Sequence, residues 1–148
     1  MPGFAVHSSV GACVGAAFGV AAYNHFGCSM NLSVATGVTA WLFSIFPDID
    51  IKSKASKIFY TIFLAVMVVA FAYKKYAMGN IIGMLACLPQ LANHRGVFHS
   101  PIMAFVLGLV PVVYGFSTGM YAVESIYVSV AVITGYFTHL VLDGWFHN

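Results

Sequence analysis

Residues 5–24 read AVHSSVGACVGAAFGVAAYN. The stretch holds no Lys, Arg, Asp or Glu, and about 20 apolar residues wound as a helix cross the hydrocarbon core of a bilayer. Gly11, Gly15 and Gly19 follow at steps of four, which stacks them on one helix face, a turn apart. A glycine stripe in a membrane helix marks close contact with a second helix. His7 stands one turn before Gly11 on the same face. Two readings stay open for it: a side chain turned towards protein, or an interfacial residue near the chain start.

Similar runs recur at 30–47, 56–73, 79–93, 101–117 and 121–146. The run at 79–93 is short and carries Pro89 and Gln90 near its end, so it reads as a tilted span or a re-entrant piece. The chain is 61% hydrophobic and 7% charged, against about 25% charged in a soluble domain. These figures point to an all-α polytopic membrane protein, one domain over 1–148, with about six transmembrane helices. Helices satisfy their own backbone in lipid, and continuous apolar runs are not the alternation a barrel needs. A scattered net charge of +2 excludes a nucleic-acid binder. Cys13, Cys28 and Cys87 are isolated and read as small apolar side chains, neither a disulfide framework nor a thiolate metal site. No Lys or Arg precedes the first run, which argues against a cleaved signal peptide.

The polar residues gather at the ends of these runs. Asn93-His94-Arg95-Gly96-Val97-Phe98-His99-Ser100-Pro101 packs two histidines and the only arginine into six positions. Gly96 permits a tight turn, and Ser100-Pro101 reads as an N-cap followed by the first helical residue. His94 and Arg95 then lie on a loop, and His99 at the mouth of a helix. Neutral imidazoles ligate metals, and a guanidinium clamps phosphate or carboxylate; a plain basic loop between helices is the simpler alternative. Gly37, Ala40, Ser44 and Asp48 share a small, polar face, and Pro47 ends that helix at or just before itself. Asp48 and Asp50, spaced by two, can both meet one cation, or simply be balanced by Lys52, Lys54 and Lys57. His139 and Asp143 are one turn apart on one face, either as ligands or as a pair that locks the helix. His147 is a bystander near the chain end, and His25 and Glu124 read as interfacial.

A six-span topology puts Lys52, Lys54, Lys57 and Arg95 on one side and Lys74 and Lys75 on the other. The positive-inside rule then makes both termini cytoplasmic. The same topology brings His7, Asp48, Asp50, His94, His99, His139 and Asp143 to that one face. Ionisable groups near the bilayer are costly and pair with one another or serve a function. These seven N and O donors suit Zn²⁺ or Mn²⁺, with Fe also possible by donor type and Mg²⁺ disfavoured by the imidazoles, as one closed site or two ions. Arg95, Asp50 and His139 are the expected catalytic groups, Arg95 as an anion clamp.

In these motifs the sequence resembles the YdjM-like inner-membrane proteins, described as membrane-bound metal-dependent hydrolases. The resemblance rests on His7, on Pro47-Asp48-x-Asp50, on His94-Arg95-Gly96-x-x-His99-Ser100 and on His139-x-x-x-Asp143, and it covers essentially the whole chain. It implies a small helical protein of the plasma membrane with hydrolase activity. The expected function is hydrolysis of a lipid or lipid-linked phosphoester at the cytoplasmic face through metal-activated water. The alternative is a metal-ion transporter or channel using the same residues; the near absence of polar residues in spans three and five weighs against it. Haem ligation is disfavoured by the clustered aspartates, and a polar cluster acting only as glue between helices is the remaining reading.

Overall fold

A computed structural model of the protein describes residues 4–50, 54–76, 79–80, 83, 86, 99–119 and 122–144, and the side chains of 49, 50, 54 and 55 lie outside that description. Every element among these residues is helical: α1 (Phe4–Phe26), α2 (Met30–Phe43), a 3₁₀ turn (Phe46–Asp50), α3 (Lys54–Ala72), α4 (Pro101–Thr118) and α5 (Ala122–Leu142). α1, α4 and α5 are long and apolar enough to cross a membrane, while α2 and residues 56–72 are shorter apolar helices. The expected span at 79–93 falls almost wholly outside the described residues. The chain divides into two units, 1–47 with 99–148, and 48–98.

In the first unit α5 packs against α1, α2 and α4, and α1 lies antiparallel to α2. The contact between α1 and α2 is the glycine stripe. A Cβ added at Gly15 would stand 2.4 Å from the carbonyl oxygen of Gly37, and one at Gly19 2.8 Å from that of Ser33. No side chain fits there, so backbone meets backbone, the packing lipid-embedded helices rely on in place of a hydrophobic driving force. α4 meets α5 through Gly108, whose carbonyl accepts a hydrogen bond from the Ser129 hydroxyl. The far side of α4 presents exposed Val106, Leu109, Val110 and Val113, as a lipid-facing surface does.

Two helix ends bear on the centre. α2 is shorter than the 30–47 expected from the sequence. It closes at Phe43, where the amides of Ser44 and Ile45 bond three residues back, to Trp41 and Leu42; the ladder has already tightened to 3₁₀ spacing before Pro47 is reached. α4 begins as expected: the Ser100 hydroxyl accepts from the amide of Met103 at 3.3 Å, with Pro101 in the first turn. Pro111 lies inside α4 without ending it.

The second unit is described by α3. Its apolar run ends at Lys74, a left-handed residue (φ 58°), and the Lys75 amide closes the end by bonding to the carbonyl of Ala70 at 2.8 Å, a Schellman-type finish built without glycine.

Candidate metal centre

The centre sits at one end of the first unit, where α1 begins and α2 and α5 end. Its geometry starts from two glycines. A Cβ on Gly135 of α5 would come within 2.1 Å of the Ala40 carbonyl oxygen on α2. One turn further along each helix, His139 Nδ1 lies 2.9 Å from the carbonyl oxygen of Ser44. On α1, a Cβ on Gly11 would overlap the Ser44 hydroxyl, and His7 stands one turn earlier. Each histidine is therefore one turn from a glycine that lets its helix approach the end of α2.

The Ser44 carbonyl can only accept, so His139 Nδ1 carries the hydrogen, and in the neutral ring Nε2 is left with a lone pair. That Nε2 faces Asp143 Oδ2 at 3.3 Å across one helical turn. His7 Nε2 lies 3.1 Å from Asp143 Oδ1, and His99 Nε2 lies 3.9 Å from Oδ2. The His7 and His139 rings stack, with centroids 4.1 Å apart and planes at 20°, while His99 meets His139 edge-on at 5.5 Å. One carboxylate thus has the Nε2 atoms of three imidazoles around it.

Burial makes this arrangement consequential. His139 and His7 are 0% and 1% exposed, and the Asp143 side chain is 10% exposed. The first unit contains no Lys and no Arg at all; all six lie between 52 and 95. A shielded carboxylate in such a place is stabilised by hydrogen-bond donors or a positive partner, and within its own unit the imidazoles or a bound cation can supply them. His7 Nδ1 is buried with no hydrogen-bond partner among the described residues, which costs about 1–3 kcal/mol and persists only where something else holds the ring.

These groups can hold a metal ion. One donor atom each from His99, His139 and Asp143 falls within 4.8 Å of the others, close to the spacing of atoms that share an ion through bonds of about 2.0–2.2 Å. The hydrogen bond from His139 to a backbone carbonyl is the partner a ligating histidine uses to fix its ring and tautomer.

A family model described as YdjM inner membrane protein matches residues 1–147. The chain belongs to this family. Comparison with curated proteins and with solved structures found no match. Membership in the YdjM family and the three helices of spanning length make this a membrane protein.

Of the residues singled out from the sequence, the fold brings together His7, His99, His139 and Asp143. It turns His7 into the protein interior, which decides between the two readings left open for it. Asp48 belongs to the second unit. The Asp50 side chain, His94, Arg95 and His147 lie outside the described residues. His25 and Glu124 are exposed at helix ends, as interfacial residues are. Sequence reading missed the Ser44 carbonyl, because backbone acceptors carry no residue signature. It also missed Ser8, whose hydroxyl lies 3.2 Å from the Trp41 indole nitrogen and accepts from it, tying α1 to α2 beside the centre.

Proposed function

We propose that this YdjM-family protein is a metal-dependent hydrolase of a lipid or lipid-linked phosphoester. The observation that carries the reading is a nearly buried carboxylate encircled by three imidazoles in a unit without a single Lys or Arg. His99, His139 and Asp143 would hold the ion, with His7 beside them; an N/O set of this kind suits Zn²⁺ or Mn²⁺. Bound there, such an ion supplies Lewis acidity and an activated water. His139 keeps its Nε2 towards the ion because Ser44 holds its Nδ1–H. Arg95, next to His94 in the sequence, would clamp the phosphate, and Asp48, Asp50 and His94 would complete the ligand set, for one ion or two.

A lipid substrate is supported by a groove between α1 and α5. It starts at Leu142, beside Asp143, and runs down past Thr138, Phe137, Thr134 and Ile133, with Val10 opposite. An apolar chain lying there would leave its polar end at the carboxylate.

The test is phosphoester hydrolysis by purified protein on phosphatidic acid and polyprenyl phosphate in vesicles. Hydrolysis that disappears with a chelator and returns with Zn²⁺ or Mn²⁺ supports the proposal. Metal flux into protein-loaded liposomes, without hydrolysis, would support the transporter instead. Two further outcomes are expected. Arg95→Lys keeps the charge but loses the planar fork, so metal content stays at wild type while turnover or substrate affinity falls; metal loss equal to that of His94→Ala would remove Arg95 from the phosphate role. Val10→Phe narrows the α1–α5 groove, and KM is expected to rise for long-chain substrates and stay level for short-chain ones, with metal content unchanged.

A further inference from the structure

Asp143 offers two carboxylate oxygens, and the three imidazoles divide them unequally. His7 Nε2 lies 3.1 Å from Oδ1, whereas His139 Nε2 and His99 Nε2 lie 3.3 and 3.9 Å from Oδ2. We infer that His7 is not a ligand but the residue that positions Asp143: its Nε2–H donates to Oδ1 and leaves Oδ2 to the ion. The inference rests on the metal reading above and deepens it.

Distance is the first reason. An N–H···O hydrogen bond spans about 2.7–3.2 Å, and of the three contacts only that of His7 falls inside this range. Donors around one tetrahedral ion, with bonds of about 2.0–2.2 Å, stand about 3.4 Å apart. The two contacts to Oδ2 bracket that figure.

The tautomers are the second. The Ser44 carbonyl takes the Nδ1–H of His139, so in the neutral ring an Nε2 lone pair faces the lone pairs of Oδ2, an arrangement that a cation joins. His7 differs. Its Nδ1 is buried with no hydrogen-bond partner among the described residues. No acceptor claims a hydrogen there, so the one hydrogen of the neutral ring sits on Nε2, against a carboxylate oxygen that can only accept.

Ring direction is the third. Neutral imidazole ligates through a nitrogen lone pair, which lies in the ring plane, so an ion shared by two rings lies close to both planes. The His7 and His139 planes are 20° apart with centroids separated by 4.1 Å. Planes so inclined meet about 10 Å from the rings, far beyond a ligand bond of about 2.0–2.1 Å. Donor atoms of the two rings do come within 4.8 Å of each other, but proximity does not turn their lone pairs to one point. His99 meets His139 at 68°, an inclination at which two lone pairs can converge. The pair able to converge is the pair at Oδ2.

His7 is also held without any ion. The Ser44 hydroxyl oxygen lies 3.3 Å from its carbonyl oxygen, and the Trp41 indole N–H donates to Ser8, the next residue of α1. A ligating carboxylate is ordinarily hydrogen-bonded in its turn, and the partner fixes its orientation.

The experiment uses the full-length protein in detergent, loaded with Zn²⁺. X-ray absorption at the zinc edge counts imidazoles, chelator competition gives affinity, thermal unfolding reports the fold, and nitrogen NMR of histidine-labelled protein reads the tautomer. The His7 signal is assigned by its loss in His7→Gln. His7→Gln keeps a neutral N–H donor, and His7→Leu removes it. Zinc affinity of His7→Gln is expected to stay within a few-fold of wild type, and that of His7→Leu to fall about 10–100-fold. The imidazole count per zinc stays the same in both, while His99→Ala loses one. In the loaded wild type, His7 carries its hydrogen on Nε2. Loss of an imidazole from the zinc shell in His7→Gln, or zinc in place of hydrogen on His7 Nε2, overturns the inference and leaves the metal centre standing. So does a folded His7→Leu protein with wild-type affinity, since Asp143 then needs no donor from His7. A wild type that takes up no Zn²⁺ fails one step earlier and ends the metal reading together with this role. Should His7→Leu fail to fold, His7→Gln and the wild-type spectra decide.

Discussion

Asp143→Asn is expected to leave the purified protein nearly free of divalent metal, with affinity reduced about 100-fold or more, since even groups that only orient a ligand typically contribute about 10–100-fold. The substitution preserves size and one acceptor oxygen. Its new amide N–H can donate to His139 Nε2, now 3.3 Å from Asp143 Oδ2, so the end of α5 keeps its local bond. What disappears is the one carboxylate shared by His7, His99 and His139. Metal content by inductively coupled plasma mass spectrometry, with chelator competition for affinity and thermal unfolding in detergent for fold, separates the roles. If the cluster is a metal centre, metal goes and the fold stays. Full metal retention would show that Asp143 is not a ligand. A protein that keeps hydrolysing phosphoesters at the wild-type rate without metal would end the hydrolase reading as stated.

Gly135→Ala is expected to be the most damaging single-methyl change in the first unit. The added Cβ would stand 2.1 Å from the Ala40 carbonyl oxygen and 2.9 Å from its carbon, and backbone cannot swing aside as a flexible side chain can. α2 and α5 must separate, at a cost of about 1–3 kcal/mol for an overpacked contact. The separation is propagated one turn on, to the bond between His139 Nδ1 and the Ser44 carbonyl. Metal affinity should therefore fall together with thermal stability, although Gly135 offers no ligand atom. Val123→Ala, at a position 63% exposed on the same helix, should change neither. A Gly135→Ala protein as stable as wild type would mean that the two helices are not held at this distance.

Three lines of evidence were already in the linear chain, each because its cause is local. Long uncharged runs must be helices in lipid, since nothing else satisfies the backbone there. Steps of four predicted the Gly11, Gly15 and Gly19 face and the His139–Asp143 pair, because helical periodicity alone brings those positions together. Ser100-Pro101 marked the start of α4, because capping depends on adjacent residues.

Tertiary structure decided the rest. The sequence left His7 between a place facing protein and an interfacial one near the chain start; only the approach of α1 to Ser44 and the stacking on His139 bury it. From sequence, His139 and Asp143 are either ligands or a pair that locks the helix, and it takes α1, α5 and His99, two residues before α4, to make the carboxylate common to three imidazoles. The tautomer of His139 is set by a backbone carbonyl 95 residues away, which no side-chain pattern announces. α2 ends at Phe43, before Pro47, where the amides of Ser44 and Ile45 turn to carbonyls three residues back and the Ser44 hydroxyl lies against Gly11. Sequence periodicity determines which face of each helix is special; which faces meet, and at what distance, depends on where a missing side chain lets two backbones touch.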